Sequence, residues 1–427
     1  MVAVQRARRN VVLPDKPPEL IAYEALLRST SAGTGEPYWL DGGRSYQGRV
    51  LARVRDLRRG DNVWTARICV LFRTRGYRTN PSDISELTDF VLSAEDLIDA
   101  VRDIAYAEEP LVMPDPSEGD AADISYQLDI TTCCELLTTR AVSESYNGRP
   151  KLAVEDLLAA MALADKLGQN PFYGSLYYRQ SMYRGALRTL SDCVHVDSFP
   201  TECASELVAR LETAAWRDRF ANSLIVEAYV AQATFSSFRP GGPLPYYATG
   251  SDLQAWYTEA AYASQLRRFL TRGELQTYAD AMARLSNIVR APYLEGEQEF
   301  EQFTEWIASV PERYMYFHLG MPMRLRAPRV QAAHEGMLRL AQIGISLEQY
   351  RRAHGSYPLD LAQALLWQTG DTPLDPLTGR EFFYERSEDD FLLYGVGINL
   401  VDDGGVADYE KGDLVWRNTV VLEDLGE

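Results

Sequence analysis

YRRAHGSYPLDLAQAL at 350–365, PLDPLTGREFFYERSEDDFLLYGVGINLVDDGG at 373–405 and GDLVW at 412–416 are the runs on which the fold turns. A helix leads into them. Val330, Ala333, Met337, Leu340, Gly344 and Leu347 recur at three- and four-residue spacing, which makes one apolar stripe. Pro328 stands where a first-turn proline is tolerated, and Arg351, Arg352 and His354 close the helix before Gly355. Leu359 to Trp367 reads as a short second helix between Pro358 and Gly370. Pro373 and Pro376 hold an extended segment, and residues 377–380 form a turn.

Strands follow. Glu381 to Arg386 alternates, Phe391 to Val396 is apolar and aromatic, and 387–390 between them is a hairpin loop. An acidic loop runs from Asn399 to Gly412, and a last strand spans Asp413 to Trp416. The expected class is α+β, mostly α: a helical body followed by a C-terminal helix and a small antiparallel sheet.

This order of features resembles the soluble C-terminal domain of type II secretion major pseudopilins. The residues that carry the resemblance are Asp375-Pro376, Tyr384, Phe391, Leu393-Tyr394, Gly397, Asp402-Asp403-Gly404-Gly405, Asp413 and Trp416. The ending also resembles that of large membrane-anchored proteins of planctomycete-type bacteria, which carry this module after a helical body. The pseudopilin resemblance implies a calcium site in the acidic loop. Asp402, Asp403, Asp408 and Asp413 supply carboxylates and Asn399 an amide oxygen, the hard oxygen ligands that calcium takes. The alternative is a solvated acidic loop without an ion. The chain departs from a pilin at its start, MVAVQRARRNVVLPDKPPEL, which is no hydrophobic filament helix. Assembly by that route is not expected.

Composition narrows the partners. A net charge of −18, from 61 acidic against 43 basic residues, disfavours nucleic acid and anionic membrane surfaces. Protein partners are expected instead. No uncharged apolar run approaches the ~18 residues that span a bilayer, so membrane association would require an anchor outside this sequence. Two locations follow: the cell envelope or periplasmic face of a bacterial membrane, as the resemblance implies, or the cytoplasm. The five cysteines Cys69, Cys133, Cys134, Cys193 and Cys203 show no CxxC spacing and read as buried thiols, with a Cys193–Cys203 bridge as the minor alternative.

Four regions are expected: a tether at 1–18, a mixed α/β region at 19–122, a helical body at 123–326 and the module at 327–427. In the second, Tyr46 to Arg55 and Val63 to Arg73 read as strands joined by a turn at 58–62. Their arginines form either a local anionic docking surface or a solvated face. Ser93, three residues before Asp96, suggests a capping box. The body is punctuated by NGRP at 147–150 and GQNP at 168–171, without a convincing 34-residue repeat. The reading has Thr201 to Phe235 as one helix, a further helix at 252–270, and a Gly-Pro loop at 239–245.

No motif assigns a reaction. The four histidines His195, His318, His334 and His354 show no two-His metal spacing, and no phosphate loop or nucleophile elbow is present. Glu295, Glu297, Glu299 and Glu301 read as a solvated helix face before they read as a catalytic pair. The reading favoured is a non-enzymatic envelope protein with a helical interaction body. The alternatives are a hydrolase-type enzyme with a carboxylate site in the body and a cytoplasmic helical scaffold.

Overall fold

The computed structural model describes residues 11–34, 45–60, 81–111, 126–194, 201–211, 216–237, 272–365, 373–387, 390–408 and 411–417. The chain is mostly helical and ends in a three-stranded antiparallel sheet. The expected helix at 252–270, the Gly-Pro loop and the Val63–Arg73 segment lie outside the described residues.

The first helices are α1 (Pro18–Thr34), α2 (Tyr46–Arg59), α3 (Pro81–Ser93) and α4 (Glu95–Tyr106). The strand expected at Tyr46–Arg55 is therefore a helix. Val50, Leu51 and Val54 sit three and four apart and bury together, a helical period that outweighs the β-propensity of the valines. Ser45 caps it, its hydroxyl accepting from the Gly48 amide at 2.9 Å. The expected capping box at Ser93 does not form. The Ser93 hydroxyl donates back to the Phe90 carbonyl, and α4 starts after Ala94 without a side-chain cap.

The body holds α5 (Tyr126–Tyr146), α6 (Pro150–Leu167), α7 (Tyr173–Val194), α8 (Thr201–Leu211), α9 (Trp216–Ser237), α10 (Arg272–Arg290), α11 (Tyr293–Ala308) and α12 (Met315–Arg324). Gly148, at φ 73°, makes the left-handed turn out of α5, and Pro150 opens α6. The single helix expected from Thr201 to Phe235 is two, α8 and α9. The described part of the expected tether is strapped to the body. The Val12 amide donates to Gln276 at 2.8 Å, and Tyr229 donates its hydroxyl to the Pro14 carbonyl at 2.5 Å.

The module begins with α13 (Ala327–His354), 28 residues long, ended by Gly355 at φ 79°. The apolar stripe expected on it is buried, but so are Ala332, Leu338, Ile343 and Ile345 on its other faces. It is an internal helix, covered on several sides, and not a surface helix with one wet face. Its first residues join one apolar cluster with α9, α10, α11 and α12. Its remainder joins a second cluster that runs from α2 through α5, α6 and α7 to the sheet. The short α14 (Leu361–Leu365) follows.

The sheet orders β1 (Phe383–Arg386), β2 (Phe391–Gly395) and β3 (Leu414–Arg417), all antiparallel. Phe382, Phe391, Leu393, Leu414 and Trp416 are buried in the larger cluster, toward α13. Gly336 and Gly344, eight residues apart on α13, open the groove that takes Leu414 and Trp416. Asp375 ties the Asp-Pro turn to the end of β2: its carboxylate accepts from the amides of Leu377 at 2.9 Å and Val396 at 3.1 Å. Ser191 on α7 donates to the Trp416 carbonyl at 2.6 Å, so β3 is held by the body as well as by its own sheet.

Candidate metal centre

The loop after β2 folds around Asp413. One oxygen of that carboxylate, Oδ2, accepts from the amides of Asp403 at 3.0 Å and Gly405 at 2.8 Å. Gly404 and Gly405 turn there with φ of 72° and 80°, a region that glycine enters without strain. Asp413 in turn donates its amide to the Val406 carbonyl at 2.8 Å. The Asp413 carboxyl is held above the usual carboxylate range by burial first, against the two amide hydrogen bonds, and then by the charges of Asp402 and Asp403.

The other expected ligands take places along the same loop. Asn399 donates to the Asp403 carboxylate at 2.7 Å and to the Lys411 carbonyl at 2.6 Å, and its own oxygen accepts the Val401 amide at 3.1 Å. Asp402 accepts from the Tyr394 hydroxyl at 3.1 Å and the Gly404 amide at 3.0 Å. Asp408 accepts the Lys411 amide at 2.9 Å. Asn399, Asp402, Asp403 and Asp413 are thus linked through the loop, whereas Asp408 serves the final turn.

The donor set fits a hard cation in kind: it is all oxygen, anionic and carried on a glycine-rich turn. Asp413 Oδ1 gives the fit its structural point, since it is buried and has no hydrogen-bond partner. Among the described residues, however, no three His, Cys, Asp or Glu side chains stand close enough together to hold a metal ion. The loop's carboxylates are turned to its own amides, which stiffen it.

A second polar cluster lies in the body, and sequence reasoning missed it. Arg179 is buried among α6, α7, α9 and α13. Its Nε and Nη2 donate to Asp165 at 3.1 and 2.8 Å, Tyr183 donates to the same carboxylate at 3.0 Å, and Arg210 pairs with it too. The guanidinium is flanked by the rings of Tyr183 and Trp216. His334 Nε2 lies 3.4 Å from Nη1. Gly168 is required by this packing, because a Cβ there would lie 2.5 Å from Arg179 Cδ. Burial pulls the guanidinium down to about 10 and drives His334 well below its ordinary value, with Arg179 and Arg184 adding to the second shift. Beside it, Gln180 donates to Gln331 at 2.7 Å and Arg217 to Glu335 at 2.8 Å. No periodicity or motif marks these positions, because their partners come from five separate helices.

The remaining candidates have structural places. Glu295, Glu297, Glu299 and Glu301 are exposed on α11. His354 Nδ1 meets the Tyr350 carbonyl at 3.0 Å in the last turn of α13. Cys133, Cys134 and Cys193 are buried free thiols whose acidity burial suppresses. Arg55 and Arg58 of the expected basic surface spend their charge on Asp129, whose side chain is fully buried, while Arg49, Arg53 and Arg59 stay exposed.

No family model, curated protein or solved structure matches the chain. The class that its fold defines is α+β, mostly α, with a small antiparallel sheet closing the chain. Among the described residues no helix is long and apolar enough to cross a membrane.

Proposed function

We propose that this chain is a non-enzymatic, envelope-associated protein: a helical interaction body that carries a pseudopilin-like, calcium-binding module related to type II secretion and type IV pilus-like systems. The observation that carries the ion is Asp413 Oδ1, a buried carboxylate oxygen without a hydrogen-bond partner in a field made negative by Asp402 and Asp403. Asp413, Asp402, Asp403 and Asn399 would hold the cation, with Asp408 closing the loop behind them. Calcium would neutralise the crowded carboxylates and fix the loop between β2 and β3. The reading as an interaction protein is further supported by how the described carboxylates are used. Asp156, raised by burial, takes two hydrogen bonds from Arg140 at 2.6 and 2.7 Å, and raised Glu144 pairs with Arg149. The first pair joins α5 to α6, and the second holds the turn between them.

The test is thermal unfolding of the full chain in calcium and in chelator, with a bound-metal assay. A ligand at a free concentration 100 times its Kd stabilises by about 2.7 kcal/mol. The melting temperature should rise with calcium, and the rise should vanish in Asp413→Asn and in Asp402→Ala/Asp403→Ala. Equal melting curves with no bound calcium would remove the ion from this reading. Cell fractionation of the full-length gene product tests the envelope separately: recovery in the soluble cytoplasmic fraction would favour the scaffold alternative.

A further inference from the structure

The outer face of the sheet follows from its register. Phe383 pairs with Tyr394, Glu385 with Leu392, and Tyr394 with Val415, while Glu381 pairs with Leu374 in an isolated bridge. Directly paired residues point to the same side of a sheet. Leu374, Glu381, Phe383, Glu385, Leu392 and Tyr394 therefore share the face turned away from α13. Phe383 and Leu374 remain 42% and 44% exposed, unusual for side chains of this size on a small sheet. The Phe383 ring stacks on Tyr394 at 4.6 Å and 6°, which fixes a partly exposed aromatic platform on this face.

The carboxylates nearest Phe383 are Glu381, Glu385 and Asp402, while Arg339 flanks the Leu374 end by donating to the Leu374 carbonyl. Glu381, two residues before β1, and Glu385 within it are exposed on either side of Phe383. Asp402 closes the far end, hydrogen-bonded to the Tyr394 hydroxyl. Arg386 lies on the opposite face by alternation, and Arg380 belongs to the turn before the strand. β1 is also an edge strand.

We propose that the Phe383 platform, between Glu381 and Glu385 at the sheet edge, docks an arginine-bearing extended segment of a protein partner. The occupant is set by charge complementarity. Guanidinium groups stack on an aromatic face and pair with carboxylates in the same plane, and an extended segment presents alternate side chains to one face. The ion loop is not required: the carboxylates that define the site, Glu381 and Glu385, lie outside it.

The experiment is fluorescence anisotropy on the full chain, in chelator and again in calcium, with labelled peptides of alternating arginine and valine. A glutamate–valine peptide serves as the control. The arginine peptide should bind and the control should not. Phe383→Ala should weaken binding about threefold, the size of an exposed cation–π contact, and Glu381→Gln/Glu385→Gln about tenfold. Glu299→Gln/Glu301→Gln, on the exposed face of α11, should leave it unchanged. Equal losses in the two glutamate pairs would show attraction to net charge alone and overturn the site. So would an unaffected Phe383→Ala variant, or no binding in either buffer. Sedimentation closes the remaining case: self-association abolished by Phe383→Ala would make a second copy the occupant and overturn the proposal. Peptide binding in chelator would sustain this site even where the melting curves and the bound-metal assay remove the ion.

Discussion

Gly344 on α13 and Trp416 on β3 occupy one packing position: a Cβ on Gly344 would fall on the indole of Trp416. The indole is buried, and its residue is also anchored through its carbonyl to Ser191. Gly344→Ala gains about 1 kcal/mol of helix propensity. Overpacking a fixed ring costs about 1–3 kcal/mol and should win, since neither the helix nor the strand can retreat. Chemical denaturation should show a net loss, and Trp416→Leu in the Gly344→Ala background should recover part of it. Additive losses would mean that the two residues are not coupled.

Arg179 and Asp165 should behave as a unit. Removing one partner of a buried pair leaves an uncompensated charge and costs about 3–5 kcal/mol. Solvent reaches the Asp165 side, where Arg210 also pairs, so Asp165→Ala should fall at the lower end of that range. Arg179→Met combined with Asp165→Ala should be more stable than Asp165→Ala alone. A double variant weaker than either single one would sink the explanation.

His334 predicts a pH dependence. Its folded pKa lies well below the ordinary value because of burial and the neighbouring Arg179 and Arg184 charges. The unfolded state therefore takes up a proton near pH 6.5 that the folded state refuses. Stability is complete above that pH and falls as the pH drops below it, by up to about 1.4 kcal/mol per pH unit. His334→Gln should flatten the slope of unfolding free energy between pH 6.5 and 5.5. An unchanged slope would mean that His334 is not held neutral.

Ser45 tests whether α2 is a helix in solution. Loss of its hydroxyl removes the acceptor for the Gly48 amide and should cost about 1 kcal/mol. Ser45→Asp should preserve the cap. Equal stability of Ser45→Ala and the parent chain would argue that 46–59 is not capped there.

Much of the C-terminal order was legible because it is written in local chemistry. Gly355 at positive φ, Pro328 in the first turn of α13, Gly404-Gly405 and the alternation in β1 each act within a few residues. The segment 46–59 misled because arginine and valine suit strand or helix alike, and the choice fell to what Val50, Leu51 and Val54 could bury against. Arg179, Asp165, Tyr183 and His334 left no trace in the order of residues.

The sequence by itself determined the ends of α13, the hairpin, and the carboxylate content of the loop, since caps, turns and periodicity depend on near neighbours. Only the tertiary structure decided which oxygens the loop spends on its own amides, which face of the sheet is left open, and how far α13 is buried. Those outcomes depend on groups distant in the chain, as Ser191 and Trp416 are, and desolvation sets the charge of a group only after the fold has placed its neighbours.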